Sequence, residues 1–192
     1  MIFPTTPSQT VGPFFAIGLP WPEGPYAVPP GTPGAIRIRG TIYDGAGTPI
    51  PDHLIETWQA DPDGRFCDLH GYGGGSELPG FRGFARHGVE DGDGTYEIVT
   101  VKPGRVPEPG GRLQAPHIDV SVFARGMLNR VVTRIYFADE EQANAEDPVL
   151  ARVAADRRHT LLATPEEGGY RFDIRIQAPP GSPGLETVFF DL

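Results

Sequence analysis

The sequence predicts an all-β protein: an antiparallel β-sandwich with an extended, proline-rich N-terminal arm and one or two short helices. Three observations carry that expectation. Short apolar runs alternate with period two, Gly- and Asp-rich turn signals separate them, and nine prolines between Pro4 and Pro33 remove the amide donors that a ladder or helix would need. At 192 residues the chain fits a single domain, 1–192, of which 1–33 would be the arm.

The arm carries Phe14, Phe15, Trp21 and Tyr26 as apolar anchors, so it is expected to lie against its own domain or a partner rather than float. Strand signals then recur at Ile36 to Tyr43, Leu54 to Ala60, Thr95 to Val101, His117 to Ala124, Val131 to Phe137, Tyr170 to Gln177 and Thr187 to Phe190. Alternation is clearest late in the chain, where Tyr170, Phe172, Ile174 and Ile176 form one face and Arg171, Asp173, Arg175 and Gln177 the other. Asp44-Gly45, Asp61-Pro62-Asp63-Gly64 and Gly92-Asp93-Gly94 are turns, and Lys102-Pro103-Gly104 ends a strand. One helix is predicted to begin at Asp147 as N-cap, with Pro148 at its first position and Val149, Leu150, Val153 and Ala154 along one stripe.

Composition narrows the function classes. Glycine (26) and proline (22) make up a quarter of the chain, yet 39% hydrophobic residues in alternating runs argue for a turn-rich folded protein over a disordered one. A net charge of −9 disfavours nucleic acid and anionic membranes, both of which reward clustered cations. Cys67 is the only cysteine, which rules out an internal disulfide and fits a reducing compartment. No signal-peptide pattern or spanning run is evident, so the expected location is cytoplasmic. Fifteen arginines against one lysine suit an interface, where arginine is favoured.

The chemistry-bearing candidate is the strand from His117. Alternation sends Ile118, Val120 and Val122 to the core and puts His117, Asp119 and Ser121 together on the other face. A Ser-His-Asp hydrolase is a poor reading, because same-face neighbours on one strand stand ~6.5 Å apart where a nucleophile and its base need about 3 Å. A second reading takes His117, Asp119 and a distant His159 as the facial triad of a ferrous oxygenase. Against it, His159 follows the expected helix instead of lying on a strand. The acidic turns lack the spaced ligands of an EF-hand, Gly73-Gly74-Gly75 lacks the ending of a phosphate loop, and His53, His70 and His87 show no ligand spacing. A non-enzymatic alternative is a transthyretin-like β-sandwich binding module.

Ordered segments along nearly the whole chain resemble the intradiol ring-cleaving dioxygenases. They are Thr6 to Phe15 (TPSQTVGPFF), Glu56 to Asp61 (ETWQAD), Thr100 to Gly104 (TVKPG), Ala115 to Gly126 (APHIDVSVFARG), Thr133 to Phe137 (TRIYF), Tyr170 to Gln177 (YRFDIRIQ) and Glu186 to Asp191 (ETVFFD). In iron-bearing members, the resemblance implies, two tyrosines and two histidines hold ferric iron, with the histidines spaced His-x-His on one strand. Here Asp119 stands at the second histidine position, and Arg105-Val106-Pro107 occupies the stretch after the Lys-Pro-Gly turn where a tyrosine is expected. Tyr72, inside the run Gly71 to Gly75, is the candidate for the remaining tyrosine position. One imidazole and one phenolate would bind ferric iron poorly, so His117, Asp119 and Tyr72 read as a degenerate site with a hydrogen-bonded remnant.

The resemblance therefore implies an iron-free alpha subunit, with Fe(III) bound by a homologous beta subunit and higher-order alpha-beta assembly. The implied reaction is intradiol cleavage of protocatechuate by O2 to 3-carboxy-cis,cis-muconate, a step of aromatic catabolism in the beta-ketoadipate pathway. By the same resemblance Thr10, Gly12, Pro13 and Arg125 reach the rim of the partner's pocket, with Phe14 where a tyrosine is often found. Arg125 would then contact or steer the substrate carboxylate.

Overall fold

The computed structural model describes residues 9–12, 14–68, 75–88 and 93–191. Nine strands follow in chain order: β1 (Ala35–Tyr43), β2 (His53–Trp58), β3 (Phe84–Gly88), β4 (Thr95–Val101), β5 (His117–Ala124), β6 (Val131–Phe137), β7 (Leu162–Glu166), β8 (Gly169–Arg171) and β9 (Ile174–Arg175). Two short α-helices, α1 (Phe15–Gly18) and α2 (Glu141–Glu146), and three 3-10 turns complete the described elements.

The strands connect in the order β3-β2-β5-β6-β7-β8-β1-β4, with β9 also on β1. The path folds back on itself, so that Ile55, Ile118 and Ile135 from the β2-β5-β6 half share one core with Ile38, Ile98 and Phe172 from the β1 half. This is the expected sandwich-like all-β architecture. It departs from a purely antiparallel one where chain returns are long: β6 and β7, β8 and β1, and β9 and β1 pair parallel. A second apolar cluster forms on the outer side of β6, where Leu150, Val153 and Leu161 pack with Tyr136.

Four strands match their expected bounds closely, and the departures have local causes. The run from Tyr170 breaks into β8 and β9 because the Asp173 carboxylate accepts the Thr41 N–H at 2.9 Å, replacing a backbone ladder bond with a side chain. Thr187 to Phe190 is not a strand; it follows the sandwich through isolated contacts, Thr187 N–H to Arg175 O and Phe190 N–H to Val132 O. The helix expected from Asp147 shrinks to a single 3-10 turn, Leu150–Arg152. Asp147 still caps it, its Oδ1 accepting the Val149 and Leu150 amides at 2.9 and 2.6 Å. The longer helix, α2, ends just before it.

Nor is the proline-rich segment simply extended. Its described part contains α1, with Phe15 buried, and Tyr26 forms a bridge to Val99 of β4. Arg86 of β3 fastens this segment to the body: its guanidinium lies 5.3 Å from the Trp21 ring centre, donates to Leu19 O at 3.1 Å and pairs with Glu56 at 2.5 Å. The first eight residues lie outside the described set.

Candidate functional site

Strand β5 organises the polar chemistry, because one of its faces is committed to the core. Ile118, Val120 and Val122 are fully buried there, while His117, Asp119 and Ser121 alternate to the opposite face. At the N-terminal end of β5 that face is filled by Arg134, which lies directly across from Asp119 on β6. Arg134 Nε donates to Asp119 Oδ1 at 2.8 Å and its Nη1 donates to Gln114 Oε1 at 2.6 Å. The His117 ring is buried, donates from Nδ1 to Ala115 O at 2.7 Å, and tilts against Tyr136 at 5.8 Å between ring centres.

Beneath this pair, Asp147 gathers the network. Its Oδ2 accepts the Ala115 amide at 2.7 Å and its Oδ1 the Tyr136 hydroxyl at 3.2 Å. Burial, with Arg134 nearby as a second cause, pushes the His117 imidazole below its usual value. Burial pushes the Tyr136 phenol up, so it remains a donor at neutral pH.

This donor set does not fit ferric iron. A guanidinium pairs with Asp119, so β5 itself offers a single imidazole and no free carboxylate. Among the described residues no group of three or more His, Cys, Asp and Glu side chains could hold a metal. Tyr72 lies outside the described residues. The ferrous triad is corrected for a related reason: His159 is exposed on the 3-10 turn Arg158–Leu161 and lines a cleft with Thr160, Arg171 and Arg175, whereas Asp119 lines a different cavity.

At the C-terminal end of β5 the environment reverses. The strand stops at Ala124 and turns through Gly126, whose φ of +89° is open to glycine at little cost. Thr10 reaches this turn from the N-terminal segment: its Oγ1 accepts the Gly126 amide at 3.2 Å and the Gly12 amide at 3.5 Å. Gly12 itself has φ +75°, a conformation that a β-carbon would strain. Arg125 projects outward, 62% exposed, with its Nε 2.9 Å from Asp52 Oδ2. Thr10, Gly12 and the Arg125 turn are thus brought together from positions 116 residues apart. Phe14 and Ile17 beside them are 76% and 78% exposed. Pro13 lies outside the described residues.

Asp52 and Gln114 were not singled out by sequence reasoning, and Arg134 was noted only as part of a resembling segment. The available signal for Arg134 was a charge alternating onto the same face as Asp119 in a neighbouring strand. Asp52 carried none, since it lies in a Pro-Asp-His turn with no periodic pattern.

Residues 12–178 match a family model described as Dioxygenase. The protocatechuate 3,4-dioxygenase alpha chain of Burkholderia cepacia is 42% identical, with 97% of each chain covered. The alpha chain of Pseudomonas putida is 40% identical over 99% of this chain and 98% of its own. The beta chain of the Burkholderia cepacia enzyme is 31% identical, covering 77% of this chain and 66% of the other. Among solved structures, the dioxygenase domain of a carbohydrate-binding fusion from Streptomyces sp. SirexAA-E superposes with a TM-score of 0.54 at 24% identity, covering 90% of this chain and 98% of that one, a likeness of fold. Matches of this extent to ring-cleaving enzymes overturn the transthyretin-like alternative.

Proposed function

Because this chain belongs to the intradiol ring-cleaving dioxygenase family, we propose that it is the iron-free alpha subunit of a protocatechuate 3,4-dioxygenase, paired with a homologous iron-bearing beta subunit. One observation carries the reading: in a chain that aligns end to end with alpha chains, Arg134 neutralises Asp119 on the face where ferric iron would need ligands. The partner's iron supplies Lewis acidity and chelation of the catechol oxygens during cleavage of protocatechuate by O2.

This chain's share is binding and shape. Arg125 offers a guanidinium held, among the described residues, by one surface ion pair, which a substrate carboxylate can replace with a similar charge-assisted bond. Thr10 fixes the arm to the Arg125 turn, so that Gly12 and Phe14 are presented with Arg125 to the partner's pocket. Phe14 and Ile17 give the arm an apolar surface to bury against that partner, and further association of alpha-beta protomers follows family practice. Among the described residues no helix is long and apolar enough to cross a membrane, and a cytoplasmic place of action accords with a single free Cys67.

Co-expression with a beta-type partner tests the proposal. The chain purified alone is expected to be colourless and to retain no ferric iron after desalting. With the partner it should co-elute and raise turnover of protocatechuate. A single chain that holds stoichiometric iron and cleaves catechols unaided would overturn it.

A further inference from the structure

A cavity of about 710 Å³ opens on the polar face of β5 and β6, beneath the C-terminal segment. That volume falls within the range of sites that enclose small organic ligands, roughly 300–1,000 Å³. Its lining is unusual for a chain of net charge −9: among the described residues, Arg130, Arg134, Arg152 and Arg157 face two acids, Asp119 and Asp191. The remaining wall is largely aliphatic and aromatic, with Val153 and Phe190 among its residues.

The arginines are unevenly satisfied. Arg134 is spent on Asp119 and Gln114. Arg157 donates from Nη2 to Glu186 O at 2.6 Å, yet its Nε is buried with no hydrogen-bond partner among the described residues. Arg130 and Arg152 make no ion pair or side-chain hydrogen bond among the described residues. Guanidinium groups in excess of the carboxylates around them repel one another and cost stability unless an anion completes them. An apolar wall beside them selects for an anion with a ring or hydrocarbon body over inorganic phosphate or chloride.

We infer that this cavity is a binding site for one aromatic carboxylate, its carboxyl group against Arg152 and Arg130 and its ring against Phe190 and Val153. The site is assigned binding alone, and Asp119, one of its two carboxylates, is already paired with Arg134. Its effect is retention of an aromatic acid on the chain, and it does not depend on the proposed pairing with an iron-bearing subunit.

Isothermal titration of the full chain with benzoate tests this. One equivalent is expected to bind, and benzamide, its neutral isostere, should bind at least about tenfold more weakly because a charge-assisted bond is lost. Adipate reports on the ring: affinity equal to that of benzoate would overturn aromatic recognition. Arg152→Ala should weaken benzoate about tenfold, and the double substitution Arg130→Ala with Arg152→Ala further still. Both side chains belong to exposed residues, so thermal melts should confirm intact folds. Val153→Trp, which fills the cavity, should abolish binding by a separate route. Benzoate affinity unchanged by the double substitution, or by Val153→Trp in a folded protein, would overturn the assignment. In a complex with a beta-type partner, two equivalents are expected and the double substitution removes one; a single equivalent insensitive to it would also overturn the site.

Discussion

At one end of β5, buried His117 and half-buried Asp119 are held among Arg134, Tyr136 and Asp147; at the other, Arg125 stands 62% exposed with Asp52 as its ion-pair partner. Both polar groups flank or belong to one strand, eight residues long, and both are positions that the family resemblance singles out. The difference lies in what surrounds them. The His117 end is enclosed by Ala115, the β6 strand and the Asp147 cap, so each polar atom there must find an internal partner or cost stability. The Arg125 end is a turn in solvent, where an arginine can exchange one partner for another at little cost. A closed network suits a structural role and an open one suits contact with something outside the chain.

The sharpest way to break this contrast is to remove the organiser of the closed end. Asp147→Ala strands the buried Ala115 and Leu150 amides and the Tyr136 hydroxyl, together with the part-buried Val149 amide, so a loss of about 3–5 kcal/mol is expected from urea denaturation. A loss below about 1 kcal/mol would show that the network contributes little.

Next in size is the open end. Arg125→Ala in the assembled complex is expected to lower kcat/KM for protocatechuate by about tenfold, the worth of one charge-assisted contact, with far less effect on uncharged catechol. Equal losses on both substrates would remove the carboxylate role. Stability of the isolated chain should be nearly unchanged.

Acid sharpens the comparison, because a buried histidine sits under each end: His117 at the start of β5 and His53, which pairs with Ala124 in register, at its finish. Burial is the leading cause that holds both imidazoles below their ordinary value. The unfolded chain therefore binds protons first, from about pH 6.5 downward, and the fold takes them up only at lower pH. Stability should be full above about pH 6.5 and fall as the pH drops through the folded values. Melting temperatures between pH 5 and 8 would check this, with His53→Asn and His117→Asn each flattening the acid limb relative to its own neutral value. A melting temperature that rises on acidification would refute the neutral, buried state of both rings.

The smallest expected effect is at Asp52→Asn, which releases Arg125. An exposed ion pair contributes no more than about 0.5 kcal/mol here, so the melting temperature should hardly move. Substrate affinity in the complex should move more than stability does.

Much of the sandwich was legible because alternation is a local property. β4, β5 and β6 match their expected bounds, and the split of β5 into Ile118, Val120 and Val122 against His117, Asp119 and Ser121 is visible without coordinates. The strand β3 was missed because Phe84-Ala85-Arg86-His87-Gly88 offers only one large apolar residue, and β7 because Leu162 to Glu166 is mostly exposed and contains Pro165. The expected helix after Asp147 had a sound capping signal but too short a run after it, and tertiary packing of Leu150 and Val153 kept only one turn.

Sequence by itself determined that Asp119 stands two residues after His117 and that no tyrosine lies between Tyr96 and Tyr136, since identity at a position needs no geometry. Tertiary structure decided which groups these residues meet. Arg134 meets Asp119, Asp52 meets Arg125, Thr10 meets Gly126, and four arginines meet around one cavity, all through strand register and chain return. Side-chain direction repeats every two residues and can be read locally, whereas the partner across a ladder depends on how distant strands align, which no single stretch of sequence encodes.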